Sequence, residues 1–87
     1  MYSIVYADNV KKEDIPALPK SARKLIQRAI ETRLITEPVR YGKPLRYSLA
    51  GHRRIRVSDY RIIYRIDEKN KTVYVVAIKH RKDVYEE

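Results

Sequence analysis

The spacing of apolar residues along this chain changes from a helical period to a strand period at Gly51. Ala22, Leu25, Ile26, Ala29, Ile30 and Leu34 recur at i, i+3 and i+4 and form one stripe of an α-helix, with Lys20, Arg23, Lys24, Gln27, Arg28 and Glu31 mostly opposite. Pro19 suits a first helical turn, where its missing N–H costs nothing, and Pro38 limits the helix at the other end. Ahead of this helix, Tyr2 to Tyr6 (YSIVY) reads as a short strand. Asp8-Asn9 then signals a helix start for Val10 to Ala17, which Pro16 ends or kinks. Residues 38 to 52 contain both glycines and two prolines and read as a loop leading into a strand around Arg46 to Leu49.

Beyond Gly51, Arg53 to Val57 and Tyr60 to Asp67 flank Ser58-Asp59, a dipeptide suited to a tight hairpin. Glu68-Lys69-Asn70-Lys71 makes a second polar turn before Thr72 to Lys79 (TVYVVAIK), whose β-branched residues on both faces mark a central strand. The expected fold is α+β: an N-terminal strand, two helices, then a three-strand antiparallel meander, with the helices packed on one sheet face. At 87 residues, 1–87 form a single domain, since a chain this short buries roughly 60% of its unfolded surface and cannot divide that between two cores.

Strand parity makes the hairpin a geometric prediction. With Ser58 and Asp59 as the loop, the cross-strand pairs are 57 with 60, 56 with 61, 55 with 62, 54 with 63 and 53 with 64. Ile55, Val57, Tyr60, Ile62 and Tyr64 then share a core face, and Arg54, Arg56 and Arg61 share the other, with Arg65 in phase to extend them. Arg53 has core-side parity, at a strand end. Arginines facing each other across a ladder destabilise it. Two readings follow, a merely solvated face or a phosphate-binding surface, and the lack of interspersed acids favours the second.

Charge sharpens that choice. The formal net charge is +9 and the pI about 9.9, a field that attracts nucleic acid, an acidic protein or an anionic membrane surface. The longest apolar stretch, Val73 to Ile78, is far short of the roughly twenty residues that span a bilayer. Absence of cysteine excludes disulfides and thiolate chemistry, and with an N-terminus unlike a signal peptide it predicts a cytoplasmic protein.

The remaining chemistry is narrow. His52 and His80 have no carboxylate at ligand spacing, so no metal site or cofactor is expected, and Glu13-Asp14, Asp67-Glu68 and Glu86-Glu87 read as turn and terminal pairs. The stretch KHRKDVYEE (79 to 87) brings Lys79, His80, Arg81 and Lys82 off the end of the central strand, with Tyr85 after them. It is either a basic tail with Val84 and Tyr85 tucked on the sheet, or cations and a π-face of the kind that bind single-stranded RNA.

RIRVSDYRIIYRI followed by VYVVAIKHRKDVY resembles the RelE branch of the RelE/ParE toxin superfamily, over nearly the whole chain. The resemblance implies a type II toxin that enters the ribosomal A site and cuts mRNA without metal, the 2'-hydroxyl attacking the adjacent phosphate to leave a 2',3'-cyclic phosphate and a 5'-hydroxyl. It further implies a cognate antitoxin carrying acidic and apolar residues, in a toxin–antitoxin hetero-oligomer. Carried over by motif, the functional positions are Arg54, Arg56, Arg61, Arg81 and Tyr85. His80 is added as a titrating group, and Arg53, Arg65, Lys79 and Lys82 as RNA contacts. Relatives have lysines where this chain has Arg54 and Arg56, and a guanidinium with pKa above about 12 supplies charge, not proton exchange. Proton transfer then falls to Tyr85, His80 or Lys82, unless Tyr85 stacks on a base. The alternatives are a ParE-like, non-enzymatic inhibitor of DNA gyrase and a simple RNA-binding module.

Overall fold

The computed structural model of the protein describes residues 1–83. A five-stranded sheet in the order β1-β5-β4-β3-β2 carries the fold. Its strands are β1 (Ser3–Tyr6), β2 (Lys43–Pro44), β3 (Arg53–Val57), β4 (Tyr60–Asp67) and β5 (Thr72–His80). The meander β3-β4-β5 is antiparallel, and β1 lies parallel to β5, from Ser3 opposite Thr72 to Tyr6 opposite Val75. The long β5 is therefore central, as its two-sided apolar pattern requires.

Two helical regions follow β1. Val10–Asp14 is one wide π-type turn, closed by the Ile15 N–H donating to the Val10 carbonyl at 2.9 Å. α1 (Lys20–Ala29) begins directly after Pro19 and runs into a second π segment, Ile30–Leu34, closed by Ile35 N–H to the Ile30 carbonyl. The predicted stripe is buried at Ala22, Ile26, Ala29, Ile30 and Leu34, but Leu25 is half exposed. Ile26, Ala29, Ile30 and Leu34, with Val10 and Leu18, meet Ile55, Val57, Ile62, Tyr64, Val73, Val75 and Ile78 in one core against a single sheet face. The α+β layering holds.

The 38–52 segment differs from its expectation. Pro38–Tyr41 forms a short helix, α2, and the strand lies at Lys43–Pro44, not at Arg46 to Leu49. Tyr47–Leu49 is a 3₁₀ turn because its backbone groups bond locally: Leu49 N–H to Arg46, Ala50 N–H to Tyr47 and His52 N–H to Leu49. Those groups are taken up within the turn and do not join a ladder. Pro44 fits an edge strand, where its missing donor removes no bond from the sheet interior.

A bulge between β4 and β5 resolves the apolar run VYVVAIK. Ile63 pairs with Ala77 and Tyr64 with Val75, so Val76 is the extra residue, its carbonyl held by the Asn9 side chain at 3.2 Å. The slip puts Val73, Val75 and Ile78 on the core face together, which strict alternation forbids.

Candidate functional site

The β3–β4 register matches the parity prediction at all five pairs, Arg53 with Tyr64 through Val57 with Tyr60. Sheet order then adds columns on both sides. Across the face away from the helices run two rows, Lys43–Arg54–Ile63–Ala77 and Arg56–Arg61–Lys79. In the second row, three neighbouring strands present three cations side by side. Their exposure differs: Arg56 is open, Arg54 half-buried and Arg61 only 7% exposed. Farther along the same face, Arg65 lies 4.1 Å over the Tyr74 ring, a cation–π contact at an exposed site.

Among the described residues, two acids hold cations of the predicted set. Asp14 is buried, its carboxylate 2.7 Å from the Lys79 ammonium and 2.9 Å from the Ile78 N–H. β1 stops at Val75, so this side of β5 has an unpaired edge beyond that point, and Asp14 satisfies one of its donors. The hydrogen bond to Asp14 raises the Lys79 pKa and keeps the ammonium charged. The expectation that Glu13-Asp14 is an ordinary turn pair is thereby corrected. Asp59, at the hairpin tip, accepts the Arg81 N–H at its carbonyl (2.7 Å) and lies 3.7 Å from the Arg81 guanidinium. Both side chains of that pair stay more than half exposed.

His80 pairs with Tyr60, its ring 5.2 Å away and edge-on, so parity puts it on the face opposite Arg61 and Lys79. Its Nδ1 accepts the Lys82 N–H at 3.2 Å, which leaves Nε2 as the nitrogen to carry the proton of the neutral ring. Lys82 itself is exposed. Tyr85 lies outside the described residues.

Arg53, expected among the RNA contacts, is committed elsewhere. Its guanidinium donates to the carbonyls of Val39 (2.7 Å) and Gly42 (2.9 Å), on the helical side of the sheet. There it flanks Tyr64, a fully buried tyrosine whose hydroxyl donates to the Pro38 carbonyl at 2.6 Å. Burial raises the Tyr64 pKa, with Arg53 opposing the shift. Gly42 is required at this knot, because a Cβ would strike the Tyr64 hydroxyl.

Sequence reasoning missed Lys43 and Asp14. Lys43 joins the basic face only through a two-residue strand, too short to show alternation; Asp14 acts through a contact 65 positions away. Among the described residues no group of three or more histidines and carboxylates could hold a metal, and no helix is long and apolar enough to cross a membrane.

Comparison with known proteins gives this geometry a context. Residues 5–85 match the family described as the ParE toxin of type II toxin–antitoxin systems, parDE. Over 52 residues the chain is 48% identical to Toxin RelG of Mycobacterium tuberculosis, a match spanning 60% of this chain and 60% of that relative. It is 33% identical to Toxin RelE of the same organism over 72 residues, 83% of this chain and 74% of the relative. The toxin–antitoxin complex RelBE2 from Mycobacterium tuberculosis contains a chain of the same fold, with TM-score 0.85 and 34% identity over 92% of this chain and 98% of that one.

Proposed function

The chain belongs to the ParE toxin family of type II toxin–antitoxin systems, and from that premise we propose that it is a ribosome-dependent endoribonuclease that cuts mRNA in the A site. The observation that supports this reading is the row Arg56–Arg61–Lys79 with Arg54 and Lys43 in the next row, cations of adjacent strands gathered on one sheet face. Guanidinium groups fixed on strands act before the reaction begins, so they stabilise charge developing on phosphorus without reorganising.

In this mechanism the 2'-oxygen attacks the adjacent phosphorus while its proton passes to a base on the protein. The bond from phosphorus to the 5'-oxygen breaks, and that oxygen takes a proton. Products are a 2',3'-cyclic phosphate and a 5'-hydroxyl. Arg54, Arg56, Arg61 and Arg81 bind the scissile and flanking phosphates. Tyr85, His80 or Lys82 carries the proton. The nucleophile belongs to the RNA and the charge to the arginines, so the chemistry calls for no metal or cofactor.

A cognate antitoxin follows from the family and from the basic face, which an acidic and apolar segment complements. The RelBE2 relative was solved as a toxin–antitoxin complex. The deciding experiment is cleavage of mRNA on purified ribosomes with mapping of the new 5' ends. The wild type should cut in the A site, and Arg61→Ala, Arg81→Ala and Tyr85→Phe should each lose at least tenfold in rate. Wild-type rates in all three sink the site. DNA breakage dependent on gyrase, with translation intact, favours the non-enzymatic alternative.

A further inference from the structure

The loop that joins β2 to β3 carries a feature the cleavage chemistry does not use. Leu45 N–H donates to the His52 carbonyl at 2.9 Å and closes the loop, and Tyr47 stands in it at φ 56°. That left-handed conformation suits glycine or asparagine and strains a bulky side chain. Among the described residues the other two non-glycine residues at positive φ, Ser58 and Lys71, sit in the tight turns between strands. Tyr47 is 79% exposed, and among the described residues its ring and hydroxyl have no hydrogen bond, aromatic neighbour or cation over the face. Among the described residues the ring is therefore held in solvent at a strained position with little packing in return. Strain kept without structural return points to a ligand.

The surroundings indicate which one. Arg46 precedes Tyr47 and is exposed; Lys43 is exposed on the same short arm and pairs directly with Arg54 of the basic face. A π-face between cations is the arrangement by which proteins hold an unstacked base while neutralising the phosphates beside it. From Arg56 to the base of the loop at His52 is four residues, about 13 Å along a strand, a distance a few nucleotides long.

We propose that Tyr47 is a stacking platform for an unpaired RNA base, and that Lys43 and Arg46 extend the phosphate track from the cleavage face to it. The inference rests on the RNA-cleaving reading and adds a binding position at the far end of the same sheet. The base belongs either to the mRNA, a few nucleotides from the scissile bond, or to ribosomal RNA.

The chain has no tryptophan, so Tyr47→Trp introduces a single indole in a position that keeps the stacking surface. With a short unstructured RNA oligonucleotide as probe, the fluorescence of that indole should be quenched in a saturable way. The same oligonucleotide carrying abasic nucleotides should bind with little quenching, and a Leu25→Trp control on the exposed side of α1 should report none. In ribosome cleavage, Tyr47→Ala should lower the rate about fivefold or more and Tyr47→Phe should restore it. Tyr47→Gly should raise Tm by a few degrees while losing activity like alanine, because glycine relieves the strain and removes the ring. Quenching by the oligonucleotide assigns the base to mRNA; loss of ribosomal cleavage in Tyr47→Ala without oligonucleotide quenching assigns it to ribosomal RNA. RNA binding without quenching, combined with wild-type cleavage by Tyr47→Ala, overturns the platform while leaving the cleavage face standing. An indole response of the Tyr47→Trp variant to an antitoxin peptide, with none to RNA or ribosomes, overturns it in favour of a protein contact. No RNA binding and no cleavage by the wild type brings down both readings.

Discussion

Arg53 and Arg54 are neighbours in sequence, equal in chemistry and half-buried alike, yet one is a brace and the other belongs to the cationic face. Arg53 points toward the helices and closes two carbonyls of α2 and its exit, those of Val39 and Gly42. Arg54 points the other way, opposite Lys43 on one side and Ile63 on the other. A strand reverses its side chains every residue, so composition says nothing about use until the register is known. The two arginines teach that a basic run on a sheet is two populations, one answerable to stability and the other to a ligand.

The sharpest way to break the comparison is to damage the brace alone. Gly42→Ala places a methyl group against the Tyr64 hydroxyl, and should cost about 3 kcal/mol through overpacking and loss of the bond to the buried Pro38 carbonyl. Thermal unfolding should show Tm falling by about 15 °C. Arg53→Ala follows at about 2 kcal/mol, since it removes two charge-assisted bonds to backbone carbonyls. RNA affinity per folded molecule should be nearly unchanged in both variants.

Arg54→Ala should give the converse. Stability should fall by clearly less than in Arg53→Ala, while the slope of log affinity against log salt should fall by about one unit. Arg56→Ala should behave alike and unfold no earlier than the wild type, because it relieves the facing charges of Arg56 and Arg61. Equal stability losses for Arg53→Ala and Arg54→Ala would erase the distinction.

This division is legible in the sequence, since the period of two and the Ser58-Asp59 turn set register and facing together. The central place of β5 is legible too, from valines and isoleucine on both its faces. Other features are not. The bulge at Val76 depends on Asn9 reaching across from another element, and the parallel pairing of β1 depends on a contact some 70 positions apart in the chain. Leu25 fits the helical stripe by spacing yet stays half exposed, and no local pattern reports how far along a stripe the cover extends. Arg53 is visible as core-side by parity; its partners come from a helix in a segment whose proline and glycine content reads as loop. Lys43 and Asp14 join the site through partners distant in sequence, where single-sequence periodicity has no reach.

Asp14 tests whether a cation can belong to both populations. Its bond raises the Lys79 pKa, so as pH rises the unfolded chain loses that proton first. The stabilising effect of the pair is complete below the ordinary lysine value of 10.5 and is lost as pH climbs through the higher folded value. Buried Tyr64 and half-buried Tyr6, also raised by desolvation, push in the same direction. Chemical denaturation between pH 9 and 12 should therefore show a steeper loss in the wild type than in Asp14→Asn, where the tyrosine contribution remains and the lysine one is gone. Parallel curves would mean that the ion pair contributes nothing to folding.

The smallest effect belongs to Asp59, the only acid between Arg53 and Arg65. Its carboxylate stands 3.7 Å from the Arg81 guanidinium, with both groups more than half in solvent, where such a pair is worth about 0.5 kcal/mol. Asp59→Asn keeps the carbonyl that receives the Arg81 N–H, so the turn survives and Tm should move by only a few degrees. What changes is competition: in the wild type an arriving phosphate must displace the carboxylate from Arg81, and in the variant it need not. RNA affinity at low salt should rise about twofold, and the gain should disappear at high salt as screening removes both attractions. An affinity that falls instead would make Asp59 an orienting partner of Arg81, and Arg81 would then join Arg53 as a cation whose use is set by the protein's own groups.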